Sequence, residues 1–166
     1  MRLLPAAALV LLCAACAARL PASDPLALSA EYAAAGRLPE AIRAIEAAIS
    51  ERPNDPALRL RAAELLAEAG KPKRAIAQLE SGLEVAPRDA ELWVRLGQLE
   101  RERGNSSDAY VAFRRAVVLD PENLRAVSGL ALTASALGFD EEAEEAYARW
   151  NELERERGAG GAGLRR

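Results

Sequence analysis

The sequence predicts an all-α chain in which helical hairpins stack into a solenoid. Hydrophobic residues make up 51% of the chain but aromatic residues only 4%, so a core has to be built mainly from Ala, Leu, Ile and Val. Alanine favours helix because it loses no side-chain entropy there, and no segment sustains the two-residue alternation typical of strands. A third observation fixes the architecture: Gly, Ala and Pro recur every 34 residues.

The repeat is most complete in the middle of the chain, where Trp93-x-x-Leu96-Gly97 opens one unit. That unit continues with Gly104, Ala109, Phe113, Ala116 and Pro121. When the unit is numbered from Ala90, steps of 34 residues give four units in one phase: 22–55, 56–89, 90–123 and 124–157. Each is long enough for two helices and a turn, and neighbouring units have to stack because none buries its apolar face alone.

Each recurring residue has a physical role in a helical hairpin. Position 15 is glycine, which accepts the left-handed conformation that ends a first helix: Gly36, Gly70, Gly104 and Gly138. Position 20 is alanine, which lets two helices approach closely: Ala41, Ala75, Ala109 and Ala143. Position 24 is large and fills the space between hairpins: Ile45, Leu79, Phe113 and Tyr147. Pro53, Pro87 and Pro121 end the second helices.

This pattern of Trp, Leu, Gly, Ala, Phe and Pro resembles the tetratricopeptide repeat consensus, with one departure, Glu100 in place of the usual Tyr at position 11. The resemblance implies a right-handed α-solenoid of four hairpins whose first helices line a concave groove. In that family, positions 2, 5, 9 and 12 of the first helices face the groove. The resemblance therefore implies a peptide-binding groove that includes Leu26, Ala30, Ala33, Leu60, Glu64, Val94, Gln98, Arg101, Arg125, Ser128 and Leu132.

The N-terminus predicts secretion and a lipid anchor. One positive charge, Arg2, precedes an apolar run that is short for a membrane span, and small residues then lead to a cysteine. Cys13-Ala14-Ala15-Cys16 resembles the lipobox of bacterial lipoproteins, although its first position is usually Leu. The resemblance implies a signal peptide over 1–15, acylation of Cys16, a tether over 16–21, and attachment to the periplasmic face of the outer membrane. Cleavage without lipidation, giving a soluble periplasmic protein, is the alternative.

Several function classes are disfavoured by composition. The chain has no histidine, and its two cysteines both lie within the first sixteen residues, so the folded part lacks the usual general base, thiol nucleophile and cysteine metal ligands. With a net charge of −3 it has no strong positive field for nucleic acid. We therefore expect no enzyme activity, no cofactor, no metal site and no nucleic-acid partner. The Gly-rich segment 158–166 is predicted to be disordered.

These features together predict a non-catalytic protein–protein interaction scaffold. Four repeats behind a lipobox resemble the small envelope lipoproteins that assist assembly of a pilus or secretion complex, such as the Tad/Flp pilus assembly lipoprotein and pilotins. The resemblance implies a peptide or helix of a secretin or pilus component in the groove. The alternative is a structural or stabilising subunit of another periplasmic envelope complex, such as cell-wall machinery.

Overall fold

The computed structural model describes residues 24–162, with side chains to residue 158, as eight α-helices in four consecutive hairpins. The helices are α1 (Pro25–Ala34), α2 (Leu38–Glu51), α3 (Pro56–Glu68), α4 (Pro72–Val85), α5 (Ala90–Glu102), α6 (Ser106–Leu119), α7 (Leu124–Leu137) and α8 (Asp140–Ala162). Each odd-numbered helix packs against the helix that follows it, and each hairpin packs against the next. The predicted all-α class with 34-residue hairpins is confirmed.

The first helix of each hairpin begins at an acidic or amide side chain. The carboxylates of Asp55 and Asp89, and the side-chain oxygen of Asn123, accept hydrogen bonds from two backbone N–H groups of the following turn. These three residues are 34 positions apart, because each unit repeats its cap as well as its core. In the first hairpin the cap is Asp24, so α1 begins three residues later in its unit than α3, α5 and α7.

The predicted turn residues have the expected conformations. Gly36, Gly70, Gly104 and Gly138 have φ between +70° and +81°, and each follows the end of a first helix. Helices α2, α4 and α6 end two residues before Pro53, Pro87 and Pro121, where the ring removes a backbone donor. The chain therefore reverses at a fixed interval along its length.

The core consists of two hydrophobic clusters along the stack of hairpins. Its first cluster, from α2 to α5, includes the fully buried Ile45, Leu58 and Leu79. The second, from α5 to α8, is built around Phe113 and Leu130. All four alanines at position 20 have 4% or less of their surface exposed, which confirms that the helices approach closely there.

Phe113 replaces the aliphatic residues of the earlier hairpins, and two glycines make room for its ring. A Cβ atom built on Gly97 would lie 3.0 Å from the nearest ring atoms, and one on Gly129 only 2.4 Å from Cε1. Gly97 is in the same hairpin as Phe113, whereas Gly129 belongs to the next. The ring thus joins the third repeat to the fourth.

Glu100, which stands in the place of the usual tyrosine, is a buried carboxylate with 7% of its surface exposed. It accepts a 2.6 Å hydrogen bond from Nδ2 of Asn105 and pairs with Arg103 at 3.2 Å. These partners lie at the turn between α5 and α6, so Glu100 connects the helix to its own turn. Such bonds offset the cost of removing the carboxylate from water.

The C-terminal boundary differs from the prediction. Helix α8 continues to Ala162, five residues into the segment 158–166 that was predicted to be disordered. No proline follows α7 to stop this last helix, and Gly158 is not among the glycines with positive φ, so no left-handed turn ends it there. Residues 163–166 and 1–23 lie outside the described residues.

Candidate protein-binding groove

The four first helices lie side by side along one face of the protein. Each first helix contacts the first helix of the next hairpin directly, although the second helix of its own hairpin lies between them in sequence. These contacts join α1 to α3, α3 to α5, and α5 to α7. The predicted groove residues all belong to these helices. The structure therefore places the predicted groove residues in one row of neighbouring helices.

The N-terminal part of this row is apolar and shallow. Leu26, Ala33 and Leu60 are half-buried and pack against the first core cluster, whereas Ala30 is exposed. Because one side of each leucine contacts the core, only the other side remains for a partner. This stretch offers small apolar contact areas and no side-chain charge.

Val94 was wrongly predicted to face the groove. It has no exposed surface and belongs to the second core cluster, together with Ala126 and Leu130 of the following repeat. The equivalent residues of the other three repeats, Leu26, Leu60 and Ser128, are half-buried. Full burial at position 5 is therefore specific to the third repeat.

The central part of the row is polar, and it includes two arginines that are not among the residues predicted from the sequence. Arg61 pairs with Glu64 at 2.9 Å, and its Nε donates to Oγ of Ser29 in the preceding repeat at 3.2 Å. Arg95, 34 residues later, donates to Oε1 of Gln98 at 3.1 Å. Both arginines occupy position 6, three residues before a predicted groove residue, and that shared spacing was the available signal.

The C-terminal part joins adjacent repeats through an ion pair. Nη2 of Arg125 donates to Oε2 of Glu91 at 2.6 Å across the gap between α7 and α5. One turn further on, Oγ of Ser128 donates to the carbonyl of Arg125 at 3.3 Å. Arg101 is exposed, and Leu132 has 47% of its surface exposed.

Two arginines in the middle of the row have no carboxylate partner among the described residues. Arg61 is neutralised by Glu64, and Arg125 by Glu91. Within residues 24–158, neither Arg95 nor Arg101 forms a salt bridge. The half-buried Arg95 and the exposed Arg101 thus lie between an apolar stretch and the exposed Leu132, on a surface that could bind a polypeptide with apolar and acidic side chains.

Other predictions concern features outside this row. Cys16 lies outside the described residues, so its acylation stays a prediction. Within the described part of the chain, no group of three or more potential ligand side chains is placed to hold a metal ion. Over the same part, none of the helices is long and apolar enough to cross a membrane.

Comparison with known proteins identifies the repeat. A tetratricopeptide repeat model matches residues 32–99, and a second model of the same description matches residues 94–155. The chain belongs to the tetratricopeptide repeat family. None of the curated proteins matches it.

Solved tetratricopeptide-type structures share the fold. A crystal structure of MamA is 24% identical, with a TM-score of 0.70 over 76% of this chain and 74% of that one. Residues 41 to the end of MamA from Desulfovibrio magneticus RS-1 are 25% identical, with a TM-score of 0.69 over 80% and 77%. The first such domain of Spaghetti (RPAP3), bound to the HSP90 peptide SRMEEVD, is 19% identical, with a TM-score of 0.64 over 69% and 90%.

These comparisons support the general function predicted from the sequence. Stacked helical repeats present an extended concave surface, and proteins with this fold act as interaction scaffolds. The predicted architecture, a right-handed solenoid of four tetratricopeptide hairpins, is confirmed.

Proposed function

We propose that this protein holds a segment of another protein in the groove of its first helices, and that it assists assembly of an envelope complex such as a pilus or secretion machine. One observation carries the proposal: Arg95 and Arg101 lack carboxylate partners within the described residues, in a row that also exposes Leu132. Unneutralised guanidinium groups beside apolar contacts favour a segment with both carboxylate and apolar side chains.

We further propose that Cys16 anchors the protein in the outer membrane, facing the periplasm. The support is the lipobox-like Cys13-Ala14-Ala15-Cys16 behind a short apolar run. Asp24, the cap of α1, is eight positions after Cys16, so the tether reaches at most about 30 Å. The first repeat would then lie close to the membrane surface, within reach of a membrane-embedded secretin.

Site-specific photocrosslinking in the native envelope tests the groove. A crosslinker at Arg101 or Leu132 is expected to capture one defined partner, and an equivalent crosslinker at Glu84, exposed on second helix α4, serves as the matched control. Capture from Glu84 alone would argue against the groove and favour the structural-subunit alternative. The identity of the captured protein decides between a pilus or secretion component and other envelope machinery.

The anchor needs a separate experiment. Mass spectrometry of the purified protein is expected to find an acylated N-terminal Cys16, and Cys16→Ala should release the protein into the soluble periplasmic fraction. An unmodified N-terminus beyond residue 16 would refute the lipid anchor while leaving the groove proposal intact.

A further inference from the structure

The outer face of α6 carries an apolar patch that the other second helices lack. Val111 and Val118 have 60% and 68% of their surface exposed. They occupy positions 22 and 29 of the third repeat, which are exposed in all four repeats. The residues at position 22 elsewhere are Arg43, Ala77 and Glu145, and those at position 29 are Ser50, Glu84 and Glu152.

Neither folding nor helix formation explains these two valines. They are exposed, so they contribute little to the core, and valine is a poorer helix former than the alanine and glutamate of the other repeats. Single exposed apolar residues are common on protein surfaces, but here two of them lie seven residues apart on the same face of one helix. The third repeat therefore differs from the other three at two solvent-exposed positions on the same helix face.

These valines border a cavity of about 490 Å³, lined by Trp93, Tyr110, Val111, Arg114, Arg115 and Val118. Trp93 is half-buried, and its Nε1 donates to the carbonyl of Pro87 at 3.0 Å, which holds the indole in place. Trp93, Val111, Val118, Arg114 and Arg115 form what we call the α6 patch. It is a fixed apolar surface with two guanidinium groups at its edge.

The charges around the α6 patch indicate the chemistry of its occupant. Arg114 lies 3.5 Å from Glu142, whereas Arg115 forms no salt bridge among the described residues. In place of these arginines the first two repeats have Glu46 and Ala47, and Glu80 and Ser81, and the fourth has Ala148 and Arg149. Two adjacent arginines thus occur at these positions only in the third repeat, together with the two valines. This complementarity suits a helix with an apolar stripe and carboxylates beside it.

A lipid surface fits the α6 patch less well. Glu80 and Asp108 line an adjoining cavity of about 310 Å³ together with Trp93 and Val111, so carboxylates border the same apolar residues. An anionic membrane is broad enough to contact these carboxylates as well as the arginines, whereas a single helix along Val111 and Val118 covers a narrower strip. We propose that the α6 patch is a second docking surface, separate from the groove, for an acidic amphipathic helix of a partner protein.

The test uses a designed probe, a helical peptide of about 15 residues with a leucine stripe flanked by glutamates, the length at which isolated helices become marginally stable. A twin with lysine in place of glutamate is the matched peptide. Nuclear magnetic resonance titration of the protein should find the amide signals of Val111, Arg115 and Val118 shifted by the acidic peptide. The basic twin should bind at least about threefold more weakly, as expected for exposed charge pairs.

The variants come from the chain's own repeats. Val111→Ala with Val118→Glu restores the residues that the second repeat has at these positions, and it should weaken binding of the acidic peptide about tenfold, the equivalent of 1.4 kcal/mol. Arg115→Glu should abolish the preference for the acidic peptide over its basic twin. Ser50→Ala, which changes the exposed residue equivalent to Val118 in the first repeat, is the control and should leave this binding unchanged.

The proposal would be overturned by equal binding of both peptides, by unchanged binding by the double variant, or by binding of phosphatidylglycerol vesicles that is lost in that variant. Self-association of the native protein that the double variant abolishes would also overturn it, because the occupant would then be a second copy. Partner capture in the groove can fail without affecting any of these results, since Leu132 and the α6 patch lie on different helices.

Discussion

The ring of Phe113 lies so close to Gly129 that a Cβ atom added to the glycine would be 2.4 Å from Cε1. The two residues belong to neighbouring hairpins, and Phe113 is 1% exposed. A glycine inside a helix normally costs about 1 kcal/mol relative to alanine. Gly129 nevertheless occupies the interior of α7, where the absence of a side chain allows Phe113, the largest buried side chain, to contact the backbone of the next repeat.

We expect Gly129→Ala to destabilise the protein despite the better helix propensity of alanine. Overpacking a core site typically costs about 1–3 kcal/mol, which exceeds the gain in propensity. The free energy of unfolding, measured by urea denaturation, should therefore fall.

The matched partner of this change is Phe113→Leu, which restores the residue of the second repeat, Leu79. A double-mutant cycle should give a favourable coupling of about 0.5–3 kcal/mol, because leucine leaves room for the new methyl group. Independent, additive effects of the two substitutions would refute the proposed contact.

Glu100→Ala should lower the free energy of unfolding by about 1–3 kcal/mol. It leaves Nδ2 of Asn105 without its 2.6 Å acceptor and removes the partner of Arg103. Glu102→Ala, two residues along the same helix and exposed, is the control and should change stability by less than about 0.5 kcal/mol. Equal effects of the two substitutions would mean that the buried hydrogen bonds contribute nothing.

The repeat pattern was predictable because each hairpin obeys the same local rules. Gly104 takes a left-handed conformation and Ala109 is fully buried, as their spacing indicated. Val94 was wrongly assigned to the groove because a position in the repeat consensus indicates the direction in which a side chain points. It does not indicate which residues of the next repeat cover that side chain. Its burial depends on Ala126 and Leu130 of the next repeat, a contact between segments distant in sequence.

The polar residues of the groove were predictable only in part. The place of Gln98 and Arg125 on the groove helices follows from their positions in the repeat. Whether Arg95 has a carboxylate partner depends on which side chains lie nearby in space. Glu100 illustrates the same difficulty: the sequence identified an unusual residue, while its hydrogen bond to Asn105 required the geometry of the turn. Partner choice among charged side chains is a three-dimensional property.

The ion pair between Glu91 and Arg125 should stabilise the protein only slightly. Both side chains are more than one third exposed, so solvent screens the attraction. A double-mutant cycle with Glu91→Ala and Arg125→Ala should give about 0.2–1 kcal/mol, and the value should fall as salt is added. A coupling that does not change with salt would contradict this assignment.

Tyr110 should ionise at higher pH than an ordinary tyrosine. Its hydroxyl donates to Oε2 of Glu142 at 2.6 Å, and this hydrogen bond, followed by desolvation and the nearby negative charge, raises the pKa of Tyr110 above the usual 10.0. The folded pKa is the higher one, so the stabilising contribution is complete below about pH 10 and is lost as the pH rises through the folded pKa.

A spectrophotometric titration of phenolate absorbance measures this effect. The chain has three tyrosines, and Tyr110→Phe should remove the transition at the highest pH. Tyr147→Phe, which changes another half-buried tyrosine, is the control and should leave that transition in place. A high-pH transition that survives in Tyr110→Phe would exclude Tyr110 as its source.

Gly158→Ala should increase the helix content and stability of α8. Gly158 lies inside that helix, nothing is within 4 Å of the added methyl group, and its φ is not in the left-handed region. A gain of about 0.5–1 kcal/mol is expected, measured by circular dichroism and thermal unfolding. Gly104→Ala is the opposite control, since a φ of +81° makes alanine strained there and stability should fall.

Every contact between helices in the described structure joins elements that are consecutive in the chain or one hairpin apart. The first hairpin therefore shares no direct contact with the fourth, and small rotations at the three junctions add together along the array. Mechanically the described array resembles a row of links, in which each hairpin is held in place only by its immediate neighbours. A change of angle at one junction therefore alters the curvature of the whole array while the contacts at the other junctions stay in place.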